Sequence, residues 1–190
     1  MAFTIDLGTK APFFSLSSSE GEIFSLDDFS QDRNLVVAFI CNHCPMVKGS
    51  VTRILKLVNK YPNVEFVAIN SNHLSHYPSD SFIHMHWFAE AWGIKFPYLY
   101  DKTQEIAKAY GAIRTPHFFV FNTNRELVYR GGLDDSPRDE TLVTKIYLDA
   151  ALTALEANKC IEIPETMPKG CTIKWEGKDE HWLPEEYCDI

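Results

Sequence analysis

The hydrophobic positions change period several times along the chain, and each change predicts an element. Ala11-Pro-Phe-Phe-Ser-Leu16 and Gly21-Glu-Ile-Phe-Ser-Leu26 read as two short strands around a polar turn at Ser17–Gly21. Leu35–Ile40 is apolar, β-branched and continuous, the pattern of a strand covered on both faces. Over Pro45–Tyr61, Val47, Val51, Ile54, Leu55 and Val58 recur at helical spacing and predict an amphipathic helix. Val64–Ile69 repeats the buried-strand pattern. A polar loop, Ser71–Ser79, leads to a helix over Asp80–Trp92, with Ser79 or Asp80 as its N-cap. Phe96–Tyr100 reads as a short strand and Thr103–Tyr110 as a short helix that Gly111 ends. His117–Phe121 and Glu126–Arg130 form a hairpin pattern around Asn122–Arg125. Glu140–Ala157 reads as a last helix with Leu142, Ile146, Ala150 and Leu152 or Leu155 facing inward.

Buried strands alternating with helices imply parallel βαβ units with right-handed crossovers. The closing hairpin adds an antiparallel edge. The expected class is α/β: a mixed central sheet flanked by helices, with an N-terminal β-hairpin and an irregular C-terminal extension. No repeat, linker or low-complexity segment interrupts the 190 residues. The expected organisation is one domain over 1–157, with 158–190 packed on it.

Composition narrows the chemistry. A hydrophobic share of 45% and a charged share of 23% are ordinary for a soluble globular chain. A net charge of −8 without a basic stripe argues against nucleic acid as a partner. The longest apolar run, Leu35–Cys41, is too short to cross a membrane. The opening Met-Ala-Phe-Thr-Ile-Asp has no basic segment before an apolar run, so a cytoplasmic protein is expected. There a close cysteine pair is catalytic or metal-binding rather than a stable staple. The five cysteines are unevenly placed: Cys41 and Cys44 form a tight pair, while Cys160, Cys171 and Cys188 fall near the C-terminus. An odd count leaves at least one unpaired in the monomer.

Cys41-Asn-His-Cys44 sits where a buried strand hands over to a helix. A helix N-terminus offers unpaired N–H groups and partial positive charge, which stabilise a thiolate. Cys41 is then the exposed, attacking thiol and Cys44 the resolving thiol one turn further in. An imidazolium at His43 would stabilise the Cys41 anion further and make the pair more oxidising. Two blander readings compete. Zinc needs about four ligands, and His73, His76, His84 and His86 lie well apart in sequence. Alternatively, both cysteines are small buried hydrophobes. A second element joins the pair: Ile113-Arg-Thr-Pro116 precedes a strand, and a proline belongs at a strand's first position.

Together these residues resemble a family. Ala11-Pro-Phe-Phe-Ser-Leu, the buried strand into Cys41-Asn-His-Cys44-Pro-Met-Val-Lys48, and Val67-Ala-Ile-Asn-Ser71 are similar to the thioredoxin-like superfamily. More narrowly, they resemble the redoxin branch related to alkyl hydroperoxide reductase and thiol-specific antioxidant proteins. Phe96-Pro-Tyr-Leu, Ala107-Lys-Ala-Tyr-Gly-Ala112, Arg114-Thr-Pro116, Tyr129-Arg-Gly131, Asp134-Asp135 and Gly170-Cys-Thr-Ile-Lys-Trp175 continue the likeness over almost the whole chain. The resemblance implies a thioredoxin-like fold and thiol–disulfide exchange by Cys41 and Cys44, with His43 in support. It also implies that Thr115 and Pro116, as a cis-proline loop, line the site.

Departures from the pattern are informative. Thioredoxin carries a buried acid on the strand before its first cysteine; Leu35–Ile40 has none, which leaves His43, Asp101 or a water for that duty. Peroxiredoxins place Thr or Ser three residues before the peroxidatic cysteine, and here Ala38 stands before Cys41. The expected function is therefore a thiol–disulfide oxidoreductase. Its partners are a disulfide-containing protein or small thiol and a reducing thiol protein or glutathione, with no cofactor and no metal. A peroxiredoxin-like peroxidase and a non-enzymatic redox sensor or metal grip are the alternatives. Cys171 is a possible third redox thiol that would relay the disulfide formed at Cys41. Lys48 falls on the side of Cys44, on a face expected to be solvated.

Overall fold

A computed structural model describes residues 4–75 and 77–177. The chain runs β1 (Ser15–Ser18), β2 (Ile23–Ser25), β3 (Asn34–Phe39), α1 (Pro45–Lys60), β4 (Val64–Asn70), α2 (Phe82–Trp92) and β5 (Tyr98–Tyr100). It continues through α3 (Glu105–Tyr110), β6 (Arg114–Thr115), β7 (His117–Phe121), β8 (Leu127–Gly131), α4 (Leu148–Glu156) and β9 (Cys171–Thr172). Seven strands form one sheet in the order β2-β1-β5-β4-β3-β7-β8. β3, β4 and β5 are mutually parallel, and β7, β8, β1 and β2 join antiparallel. This is the mixed α/β sheet the patterning predicts.

Alternation along β3 divides the core in two. Val36, Ala38 and Ile40 point to a layer shared with Val47, Ile54 and Leu57 of α1, Met85 and Phe88 of α2, and Leu148 and Leu152 of α4. Leu35, Val37 and Phe39 point to the other face, against Phe14, Phe29, and Ala107 and Tyr110 of α3. With both faces covered, β3 has no reason to alternate polar and apolar residues. Its C-terminal end delivers Cys41 to the carboxyl edge of the parallel strands, the edge at which open α/β sheets bind ligands.

Three expectations need correction. The first hairpin is shorter and displaced: β1 begins at Ser15, because Pro12 donates no ladder hydrogen bond. The helix expected over Glu140–Ala157 is broken into a 3-10 turn at Glu140–Leu142 and α4. Asp135 captures the backbone N–H groups of Thr144 and Lys145 between them. Leu142 and Ile146 are consequently 65% and 58% exposed, and Leu148, Ala151 and Leu152 face the core instead. Finally, the extension is not simply irregular. Among its described residues, β9 pairs with β6, and Thr166 N–H donates to Arg130 O at 3.0 Å. Gly131, at φ 148°, leaves no room for a side chain there, since a Cβ would lie 2.0 Å from Thr166 Oγ1. Cys188 and His76 lie outside the described residues.

Candidate active site

Cys41 and Cys44 bracket the turn between β3 and α1, and neither forms a disulfide. Pro45 takes the first helical position, where its missing N–H costs nothing. That choice makes Cys44 the N-cap of α1 and leaves Cys41 three residues before it. The helix terminus therefore acts on Cys44 more directly than on Cys41, the reverse of the expected arrangement.

Cys41 is also not exposed: it and Cys44 are both 0% accessible. The covering groups explain this. Cys41 Sγ lies 3.6 Å from His43 Nδ1 and 3.3 Å from Thr115 Oγ1. The His43 ring is itself stacked on Tyr77, with centroids 4.0 Å apart. Cys44 Sγ faces the Thr115 carbonyl at 3.1 Å. Thr115 thus touches both sulfurs, one with its hydroxyl and one with its backbone, and the peptide bond between Thr115 and Pro116 is cis.

The decisive carboxylate is Asp80, which the sequence pattern assigns to the N-cap of α2. Ser81 occupies that cap position instead, and Asp80 is buried. Asp80 Oδ1 accepts the N–H groups of Asn42 at 2.8 Å and His43 at 3.1 Å. Its Oδ2 meets His43 Nδ1 at 2.5 Å and accepts Asn72 Nδ2 at 2.8 Å. A carboxylate only accepts, so Nδ1 of His43 carries a proton. Asp80 thus brings a buried acid to the pair where β3 has none, from the 3-10 turn Pro78–Asp80. Asp101, the sequence candidate for that duty, instead accepts Ser71 Oγ and the Ala107 N–H. The orphan N–H groups of the Cys41–Cys44 turn draw Asp80 inward, and no local sequence signal marks it.

Electrostatics orders the thiols. Burial pushes the Cys41 thiol well above its ordinary range, and hydrogen bonding to Cys44 and the charge of Asp80 push the same way. Cys44 moves down, chiefly because its sulfur lies within hydrogen-bonding reach of the Cys171 thiol, then that of Cys41. The backbone N–H groups of Cys171 and Val47 add to this. As a thiol, Cys44 donates to Thr115 O; as an anion it accepts from this larger set of donors. Cys171 moves up, primarily through its hydrogen bond to Cys44 and then through burial. Cys44 is therefore the sulfur best suited to hold negative charge in the resting site.

One donor of Cys41, one of His43 and one of Asp80 lie within 4.8 Å of one another. That is a three-donor set, one short of a closed structural zinc site, and it draws on His43 and a carboxylate rather than on His73, His84 or His86. His84 bonds Ser81 Oγ at 2.6 Å and His86 meets Glu20 at 3.0 Å, both on the surface of α2. Lys48 is exposed.

The sheet is thioredoxin-like, and the comparisons place the chain with proteins named thiol-disulfide oxidoreductase. The chain belongs to the Redoxin family, whose sequence pattern matches residues 6–146. It is 26% identical over 137 residues to the thiol-disulfide oxidoreductase ResA of Halalkalibacterium halodurans, covering 70% of this chain and 73% of that protein. Among solved structures, a conserved protein of Geobacillus kaustophilus is 44% identical, covers 91% of this chain and 94% of its own, and superposes with a TM-score of 0.85. A hypothetical protein of Sinorhizobium meliloti is 38% identical, covers 92% and 97%, and has a TM-score of 0.86.

Proposed function

We propose that this protein exchanges disulfides with a protein or small-thiol substrate through Cys41 and Cys44. One observation carries the reading: both sulfurs are held on Thr115, 3.3 Å from its hydroxyl and 3.1 Å from its carbonyl. A substrate disulfide that reaches one sulfur therefore meets the other within the same site. In the reducing direction, Cys41 sulfur attacks the substrate disulfide while its proton passes to the Cys44 thiolate. One substrate thiolate leaves, and Cys41 is joined to the other half. The departed thiolate takes the proton back from Cys44. Cys44 then attacks Cys41 Sγ, expels the second substrate thiolate and leaves Cys41–Cys44 oxidised. Approach requires the His43–Tyr77 stack to swing from the sulfur it covers. A reducing thiol protein or glutathione restores the dithiol, and no cofactor takes part.

We place this chemistry in a reducing cytoplasm. The support is the cysteine usage: a close pair, Cys41 and Cys44, with the other cysteines scattered near the C-terminus, suits transient exchange rather than stable staples. Reduction of insulin disulfides tests the exchange. Activity is expected in the full chain and lost in Cys41→Ser; unchanged activity in that variant removes Cys41 from the mechanism.

A further inference from the structure

Cys171, the third redox thiol expected from sequence, reaches the site on β9. β9 pairs with β6 so that Cys171 lies opposite Thr115, the residue that contacts both Cys41 and Cys44. Thr115 bridges Cys44 and Cys171: its carbonyl lies 3.1 Å from Cys44 Sγ, and its hydroxyl donates to the Cys171 carbonyl at 3.5 Å. The approach is built: Gly170 packs so tightly on the cis-proline loop that a Cβ would lie 2.0 Å from Thr115 O. Beyond Cys171, Lys174 N–H donates to Asn72 Oδ1 at 2.8 Å, and Asn72 is already bonded to Asp80. Cys171 also differs from the pair in access, being half-buried where Cys41 and Cys44 are fully enclosed.

We propose that Cys171 is a third redox thiol that attacks Cys44 Sγ of the Cys41–Cys44 disulfide, moves the disulfide to Cys44–Cys171 and frees Cys41. This rests on the exchange reading above and adds a relay to it. In the relay step the Cys171 sulfur forms a bond to Cys44 Sγ as the Cys41–Cys44 bond breaks. Cys41 leaves as a thiolate and takes up the proton that Cys171 gives away. No electrons are gained or lost by the protein, so no further oxidant is needed. The oxidising equivalent now sits on the half-buried sulfur. An incoming thiolate of a reducing protein or glutathione attacks Cys171 Sγ, forms a mixed disulfide there and releases the Cys44 thiolate. A second thiol cleaves that mixed disulfide and returns Cys171 to its reduced state. Substrate and reductant thereby use different sulfurs.

The test uses the full chain carrying Cys160→Ser and Cys188→Ser, oxidised with one equivalent of oxidised glutathione, acid-quenched, alkylated and mapped without reduction. Both Cys41–Cys44 and Cys44–Cys171 linked peptides are expected, with Cys41 alkylated in the molecules that carry the second link. Adding Cys171→Ser should abolish that Cys41 labelling while the Cys41–Cys44 link persists. Adding Cys41→Ser should leave the Cys44–Cys171 link intact. A Cys41–Cys44 link in the parent, with no Cys44–Cys171 link in either the parent or Cys41→Ser, overturns the relay and leaves the exchange reading standing. Absence of Cys41–Cys44 from Cys171→Ser while Cys44–Cys171 forms in the parent overturns the exchange reading, and with it the relay's first donor.

Discussion

The two sides of the thiol site are built in different ways. Cys41, His43 and Cys44 come from one short turn whose placement follows from β3 and the proline that starts α1. Asp80, Thr115 and Cys171 come from short elements far along the chain, the 3-10 turn Pro78–Asp80, β6 and β9: Asn42 and Asp80 are 38 residues apart, and Cys41 and Thr115 are 74 apart. The contiguous side carries the reactive atoms. The assembled side decides how those atoms behave, by burying Cys41, placing a charge beside it and surrounding Cys44 with donors. A Cys-x-x-Cys motif therefore names a chemistry without fixing which sulfur is the anion.

The comparison can be broken from the assembled side, and the largest effect is expected at Asp80. Asp80→Asn replaces a buried acceptor of several hydrogen bonds, each to a charged group worth about 1.5–3 kcal/mol. A loss of about 3 kcal/mol in urea unfolding is expected. Removing the charge also removes an influence that holds the Cys41 thiol up. Alkylation of Cys41 should thus begin at lower pH in Asp80→Asn; an unshifted alkylation profile would separate Asp80 from the thiol.

Gly170→Ala comes next. A Cβ 2.0 Å from Thr115 O forces β9 away from the cis-proline loop, at an overpacking cost of about 1–3 kcal/mol. The expected signature is faster alkylation of Cys171 with the α1 side of the core intact by near-UV circular dichroism.

His117 sharpens the contrast from within the sheet. It is fully buried on β7, neither ring nitrogen has a hydrogen-bond partner among the described residues, and burial followed by the charges of Arg130 and Arg114 pushes its pKa down to about 3. Because the folded value lies below the unfolded one, its contribution is present above about pH 6.5 and is lost as pH falls toward 3. Stability should fall by up to about 1.4 kcal/mol per pH unit in that window. His117→Leu should flatten this slope in urea titrations at neutral and acid pH, without touching either cysteine.

The smallest effect belongs to Lys48. It lies on the exposed face of α1, and Lys48→Ala should change stability by no more than about 0.5 kcal/mol. Its insulin-reduction rate should match that of the unaltered chain. A large loss of rate there would mean that the contiguous side tunes its own thiols.

Much of the fold is legible because its signals are local. β3 and β4 are continuous apolar runs, and α1 opens at Pro45 as its pattern predicts. The Gly111 stop is seen in its left-handed backbone, φ 61°. The site is legible only in its contiguous half and in the Thr115-Pro116 loop. Asp80 misleads because Ser79-Asp80-Ser81 before an apolar run has the composition of a helix cap. Its capture by the N–H groups of Asn42 and His43 is a tertiary event. β9 is too short for any periodicity to register. The break near Thr144 is hidden for a similar reason, since Asp135 interrupts the helix from outside it.

The most direct measurement is a trapped intermediate. Cys44→Ser in the Cys160→Ser, Cys188→Ser background is treated with oxidised glutathione, and the product is mapped by mass spectrometry without reduction. A stable glutathione adduct on Cys41 is predicted, since the sulfur that would resolve it is gone. Glutathione on Cys171 alone, with Cys41 still free, would contradict Cys41 as the attacking thiol.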